Sequence, residues 1–298
     1  MDADALLEIR DLSVDLALED GAVHAVRGLS LDVRAGRTTA IVGESGCGKS
    51  TTALSILGLA AGRVRGSILW RGGERPVDLA VLDPRGEEIR AIRGAGISMI
   101  FQEPAVALNP VWTIGEQIVE TLRAHRALTR EAAREIALAA LSRVGLPDPE
   151  RQARSYPHEL SGGMRQRAMI AIALCCEPRL VLADEPTASL DVTVQAQILE
   201  LLRGLQRSQG MTLVLITHDF GVVAELADDV AVMYAGEIVE RAAVEEIFGD
   251  PQHPYTRALL RAARLPTGGT LESIPGTVPD PREIPRGCAF APRCPERV

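Results

Sequence analysis

The chain has 298 residues, 46% of them hydrophobic, with 40 acidic against 32 basic side chains and a formal net charge of −8. That length suggests about two domains with a buried core. The acidic balance, with arginines scattered rather than banded, argues against nucleic acid and anionic membrane surfaces as partners. The longest uncharged apolar run, residues 168–176, is about half of a bilayer span, so no membrane crossing is expected.

The start, Met1-Asp2-Ala3-Asp4, has neither a basic n-region nor an apolar h-region, so no secretory signal is expected. Five cysteines then read as thiols in a reducing compartment, with Cys175 and Cys176 as small core residues.

Residues 6–18 alternate apolar and polar as a half-exposed strand does, and residues 23–33 repeat the habit after the turn signal Asp20-Gly21. An antiparallel layer is therefore expected first. His24 could stack on an adenine ring, but a lone histidine there reads as a surface residue. Residues 38–42 form a short β-branched run of buried-strand type, and residues 52–57 open a helix.

Between them lies Gly43-Glu44-Ser45-Gly46-Cys47-Gly48-Lys49-Ser50-Thr51. Strand, glycine loop and helix are the context a P-loop requires. The glycines let backbone N–H groups turn inward to form an anion nest. The helix N-terminus behind it also favours negative charge, so the expected ligand is a polyphosphate. Lys49 is the only lysine in the chain. Where arginine serves everywhere else, an ammonium here fits a compact point charge between phosphates better than a planar fork.

Two strands are expected at 67–70 and 77–82, separated by Gly72-Gly73, and a buried one at 97–101. The last ends at Gln102, whose carbonyl oxygen could reach a metal or an attacking water, or could simply bond to backbone. Residues 114–176 change to helical character, with one helix over 122–144 ending at Gly145-Leu146-Pro147. Ser161-Gly162-Gly163, ahead of an apolar helix, is either a second anion-binding N-terminus or an ordinary capped turn.

Residues 180–187 read as a buried strand ending in two acids, Asp184 and Glu185. Asp184 would hold Mg²⁺ opposite the Ser50 hydroxyl, and Glu185 would polarise a water for attack on a γ-phosphate. The strand at 211–216 puts His218 at the same sheet edge. Ligands of open α/β sheets bind at the carboxyl ends of strands, so Gln102, Asp184, Glu185 and His218 are expected around one phosphate.

Together these segments resemble the nucleotide-binding subunit of an ABC transporter over essentially the whole chain. Residues 43–51 look like its Walker A, Gln102 its Q-loop and 160–166, with Ser161, Gly162, Gly163 and Gln166, its signature motif. Residues 180–185 look like its Walker B with the catalytic glutamate, 188–191 its D-loop and His218 its switch histidine. Phe101-Gln102-Glu103-Pro104, residues 191–197, His253-Pro254-Tyr255-Thr256 and the tail from Pro285 to Pro295 resemble the oligopeptide/dipeptide/nickel importer branch.

The resemblance implies an α/β P-loop NTPase (RecA-like) core over 1–111 and 177–250, with an N-terminal antiparallel β layer. It further implies a helical signature subdomain at 112–176 and an importer-type extension at 251–298. It implies ATP hydrolysis with Mg²⁺, Gln102 joining Ser50 and Asp184 at the metal, and catalysis by Glu185, His218 and Gln102. Two cassettes would face head to tail so that each signature turn covers the other's ATP.

The implied partners are a homologous second ATPase, two transmembrane permeases and an extracytoplasmic solute-binding protein, without nucleic acid. The place is the cytoplasmic face of the inner membrane, and the cargo is peptide, with nickel or another small solute as the alternative. A soluble ABC ATPase of DNA repair or translation fits less well, because no coiled-coil insertion or second cassette is visible, and a sensor without turnover conflicts with Glu185 and His218.

Two departures stand out. Cys47 replaces the usual serine, which suggests sensitivity to oxidation or alkylation. Some relatives bind an iron–sulfur cluster through further tail cysteines. Here only the Cys288 and Cys294 pair is present, so tail packing is expected instead.

Overall fold

The computed structural model describes residues 4–18, 21–188, 190–263 and 274–297. The strands in chain order are β1 (Ala5–Leu18), β2 (Gly21–Arg34), β3 (Thr38–Val42), β4 (Arg63–Trp70), β5 (Val77–Asp78), β6 (Ile97–Ile100), β7 (Leu180–Asp184), β8 (Thr212–Thr217), β9 (Asp229–Tyr234) and β10 (Glu237–Ala243). The helices are α1 (Lys49–Ile56), α2 (Glu87–Ile92), α3 (Pro104–Ala107), α4 (Ile114–His125), α5 (Arg130–Arg143) and α6 (Pro149–Arg154). They continue with α7 (Gly162–Leu174), α8 (Val192–Gln209), α9 (Phe220–Leu226), α10 (Val244–Gly249) and α11 (Pro254–Ala263). The chain divides into one compact unit of residues 1–84 and 214–298 and a second of residues 85–213.

In the first unit, β2, β1, β4 and β5 form the expected antiparallel layer in that order. The pairing of Ile9 with Leu31 and with Ile68 joins residues that are all fully buried. The turn signal at Asp20 falls outside the described residues. The strand expected over 77–82 lasts only two residues, because the Asp78 carboxylate accepts from the Ile68 and Ala80 N–H groups and turns the chain into a 3₁₀ turn. β3 runs parallel to β9, and β9 pairs antiparallel with β10. All five residues of β3, Thr38 and Thr39 included, are buried, as in a strand covered on both faces.

The segment after β10 packs into this same unit. Tyr255, Leu260, Ala289 and Phe290 join Ala40, Val42, Val232 and Tyr234 in one apolar core.

In the second unit, β6 and β7 are parallel neighbours. β6 stops at Ile100, one residue early, leaving Phe101 exposed. The single helix expected over 122–144 is two, α4 and α5. Thr113 opens α4 with a reciprocal capping box to Glu116, and Thr129 opens α5 by accepting from the Ala132 N–H. A second cap inside the apolar-periodic stretch starts a new helix, which the period alone does not reveal. The fold is thus an α/β P-loop core with an antiparallel β layer and an inserted set of helices.

Candidate nucleotide site

β3 delivers the chain to the glycine loop, and α1 begins at Lys49. Gly48 caps that helix at φ 104°, a left-handed conformation that glycine adopts without steric cost. A Cβ there would run into the Ala25 carbonyl oxygen, and one on Gly43 into that of Met233. The loop is therefore seated directly on its neighbours' backbone. Ser45 and Gly46 are exposed, and Ser50 and Thr51 are half-buried.

The Lys49 ammonium is buried within the curl of the loop. It donates to the Gly43 carbonyl oxygen at 2.7 Å and the Glu44 carbonyl oxygen at 2.9 Å, and lies 3.7 Å from the Cys47 sulfur. An ammonium has three donors and no acceptor, so its presence among carbonyl oxygens is satisfied.

Two expectations for this loop change. Glu44 is committed to protein: its N–H donates to the Tyr255 hydroxyl at 3.0 Å, and its carboxylate is held by Arg293 at 2.8 and 3.2 Å. Those groups are therefore engaged away from any phosphate. Cys47 is 1% exposed, and burial pushes its thiol up against the lowering effect of Lys49. A buried, protonated thiol is a poor nucleophile, contrary to the reactivity expected from the sequence.

In the second unit, Asp184 is the last residue of β7 and is buried, while Glu185 follows it half-buried. Glu185 sits at φ 47°, a sparsely populated conformation for a residue with a side chain. The strand thus ends at Asp184, and the chain turns away through Pro186-Thr187.

The signature segment is built on α7. Ser161 caps it by accepting from the Met164 N–H at 3.3 Å, and Ser161 and Gly162 are exposed. A Cβ on Gly163 would come within 2.9 Å of Val194 at the start of α8, so only glycine lets the two helices approach there. Gln166 departs from the ligand-binding role expected of it. Its side chain is buried and donates to the Pro186 carbonyl oxygen at 2.6 Å, which makes it a strut for the turn carrying Glu185.

Gln102 is exposed two residues beyond β6. In the first unit His218 is exposed directly after β8, on a turn fixed by Asp219, whose N–H donates to Thr217 Oγ1 and whose carboxylate caps α9. Asp191 caps α8 by accepting from the Val194 N–H, whereas Ser189 of the expected D-loop lies outside the described residues. Cys288 is exposed and Cys294 packs against the aromatic core.

Sequence reasoning missed Tyr255 and Arg293 as partners of the loop. They lie 211 and 249 residues from Glu44, beyond the reach of any local pattern.

The residues present fit a magnesium triphosphate. Within the first unit, the glycine-built loop at the head of α1 and Lys49 suit phosphate oxygens, and Ser50 is a hard oxygen donor of the kind Mg²⁺ takes; within the second unit, Asp184 is another such donor. Bound there, the ion would neutralise charge on the phosphates. Glu185, next to Asp184 in sequence, is a carboxylate of general-base type.

Residues 26–188 match the family model described as ABC transporter, and residues 239–298 match that of the oligopeptide/dipeptide transporter C-terminal region. The chain is 51% identical to the dipeptide transport ATP-binding protein DppD of Bacillus subtilis, over 98% of this chain and 88% of that protein. It is 46% identical to the oligopeptide transport ATP-binding protein OppD of Salmonella typhimurium, over 99% of this chain and 88% of the other. Among solved structures, the ATP-binding cassette MJ0796 in a dimeric post-hydrolysis state with ADP and Pi superposes with a TM-score of 0.71 at 29% identity. That match covers 80% of this chain and 98% of the cassette.

Proposed function

The chain belongs to the ABC transporter family of ATP-binding subunits, and from that premise we propose that it is the ATP-hydrolysing motor of an importer for di- and oligopeptides. The observation that carries this is the P-loop seated at the head of α1, with the chain's sole lysine folded into it. The match to a peptide-transporter C-terminal region and the names of the relatives support peptide as the cargo.

In this reading, N–H groups of the loop from Ser45 onward and the Lys49 ammonium bind the phosphates. Ser50, Asp184 and the Gln102 carbonyl oxygen would hold Mg²⁺. Glu185 accepts a proton from the attacking water, and His218 steadies the γ-phosphate. The Ser161-Gly162-Gly163 turn, exposed at Ser161 and Gly162, caps the ATP of a second cassette, a homologous ATPase, so that ATP closes the pair and hydrolysis lets it part.

Two permeases and an extracytoplasmic solute-binding protein complete the importer, with this chain on the cytoplasmic face of the inner membrane. Among the described residues no helix is long and apolar enough to cross a membrane. The second unit carries a groove of about 1200 Å³ between α4, α5 and α6, edged by exposed Val111, Trp112 and Tyr156. Its lining mixes these with charged Glu116, Glu120, Arg123, Arg130 and Arg134, a concave surface that suits a short amphipathic helix of a permease.

The test is reconstitution with the partner ATPase and permeases in vesicles. Peptide-stimulated phosphate release with peptide uptake is expected. Absence of release from this subunit, read with the partner ATPase inactivated, would remove the motor role, and uptake of a metal ion instead would change the cargo.

A further inference from the structure

The C-terminal segment does more than pack beside the P-loop. All five N–H donors of the Arg293 guanidinium are used: Nε donates to the Pro275 carbonyl oxygen at 2.9 Å, Nη1 to Glu44 and the Tyr234 hydroxyl, and Nη2 to Glu44 and the Ile274 carbonyl oxygen. Its side chain is 4% exposed, and a buried guanidinium is tolerated only when so paired. Tyr255, Tyr234 and Phe290 form a buried aromatic cluster with ring centroids 4.5–5.3 Å apart. That cluster alone would anchor the tail.

The polar contacts go further and converge on one residue inside the loop. Glu44 is gripped at its N–H by Tyr255 and at its carboxylate by Arg293, while its carbonyl oxygen accepts from Lys49. Two tail residues are thus one residue removed from the phosphate-binding ammonium.

We propose that the C-terminal region is a positioning clamp for the P-loop, in which Tyr255 and Arg293 fix Glu44 and thereby hold Lys49 and the loop in the geometry that binds a nucleoside triphosphate. The proposal rests on the nucleotide-binding reading of the loop. The loop's backbone must hold its nest against the entropy of a glycine-rich segment, and a clamp at residue 44 removes that freedom before the ligand arrives.

The test is the dissociation constant of the full chain for a fluorescent MgATP analogue, with melting temperature read in parallel. Tyr255→Phe deletes one oxygen and keeps the ring, and is expected to weaken binding about three- to tenfold, as loss of one buried hydrogen bond does. Arg293→Met should weaken it at least as much. Because Glu44→Gln and Arg293→Met break the same link, the double variant should be no weaker than the worse single one. Affinity within twofold of wild type in Tyr255→Phe overturns the clamp, whatever its melting temperature and whether or not Arg293→Met folds. Lys49→Ala serves as the separate control. If it too keeps wild-type affinity, the nucleotide reading of the loop fails, and if it loses affinity while Tyr255→Phe does not, only the clamp fails.

Discussion

The Lys49 ammonium donates to the Gly43 carbonyl oxygen at 2.7 Å, closing the glycine loop on itself with the one lysine of the chain. The same cation that satisfies the loop is the one proposed to bind the phosphates. Lys49→Ala removes both interactions and should lower MgATP affinity by about ten- to a hundredfold, the scale of charge-assisted hydrogen bonds. Lys49→Arg should recover little, because a planar fork cannot enter a space shaped for a tetrahedral head. Titration with a fluorescent nucleotide checks both, and full recovery by arginine would contradict the point-charge argument.

Glu185→Gln keeps the size of the side chain at its left-handed position but removes the proton acceptor. ATP binding should persist while phosphate release by this site falls on the order of 10²-fold or more. Single-turnover phosphate release measures it. An unchanged rate would assign the base elsewhere.

Gln166→Leu would leave the buried Pro186 carbonyl oxygen without its donor, at a cost of about 1–3 kcal/mol. The turn bearing Glu185 should loosen, lowering turnover with little change in nucleotide affinity. A kcat loss without a change in Kd is the expected signature. A loss of affinity equal to that of kcat would instead favour direct contact with a ligand.

Thiol labelling should separate the cysteines by environment. Cys288 is exposed, whereas Cys47 is buried and its thiol is pushed up by that burial. Iodoacetamide at neutral pH should modify Cys288 in the native protein and leave Cys47 untouched until unfolding. Peptide mapping by mass spectrometry reads the order, and early loss of the Cys47 peptide would refute it.

His253 provides a pH dependence. Burial lowers its pKa, and its Nδ1 accepts the Tyr255 N–H at 3.1 Å, which requires the unprotonated ring. With the folded value below the unfolded one, the unfolded chain binds more protons in between, so stability is lost as pH falls below about 6.5. The melting temperature should drop between pH 7.5 and 5.5. His253→Asn keeps an acceptor without titrating and should shallow that drop, while an identical slope would acquit His253.

The sequence by itself determined the chemistry of the loop and the order of the elements around it. Gly43 to Thr51, the acids at 184 and 185 and the apolar runs of β3 and β7 are local patterns, and local patterns follow from backbone sterics and periodicity. It could not show that a second cap at Thr129 divides a helix, that Asp78 cuts a strand short, or that Gln166 turns inward to Pro186. Those outcomes depend on which hydrogen-bond partners compete for one donor or acceptor.

Nor could the sequence reveal that Tyr255 and Arg293 meet at Glu44. Contacts across more than two hundred residues arise only when apolar burial folds the tail onto β9, and the same burial forces a desolvated guanidinium to find a carboxylate. Only the tertiary structure decided which one it found.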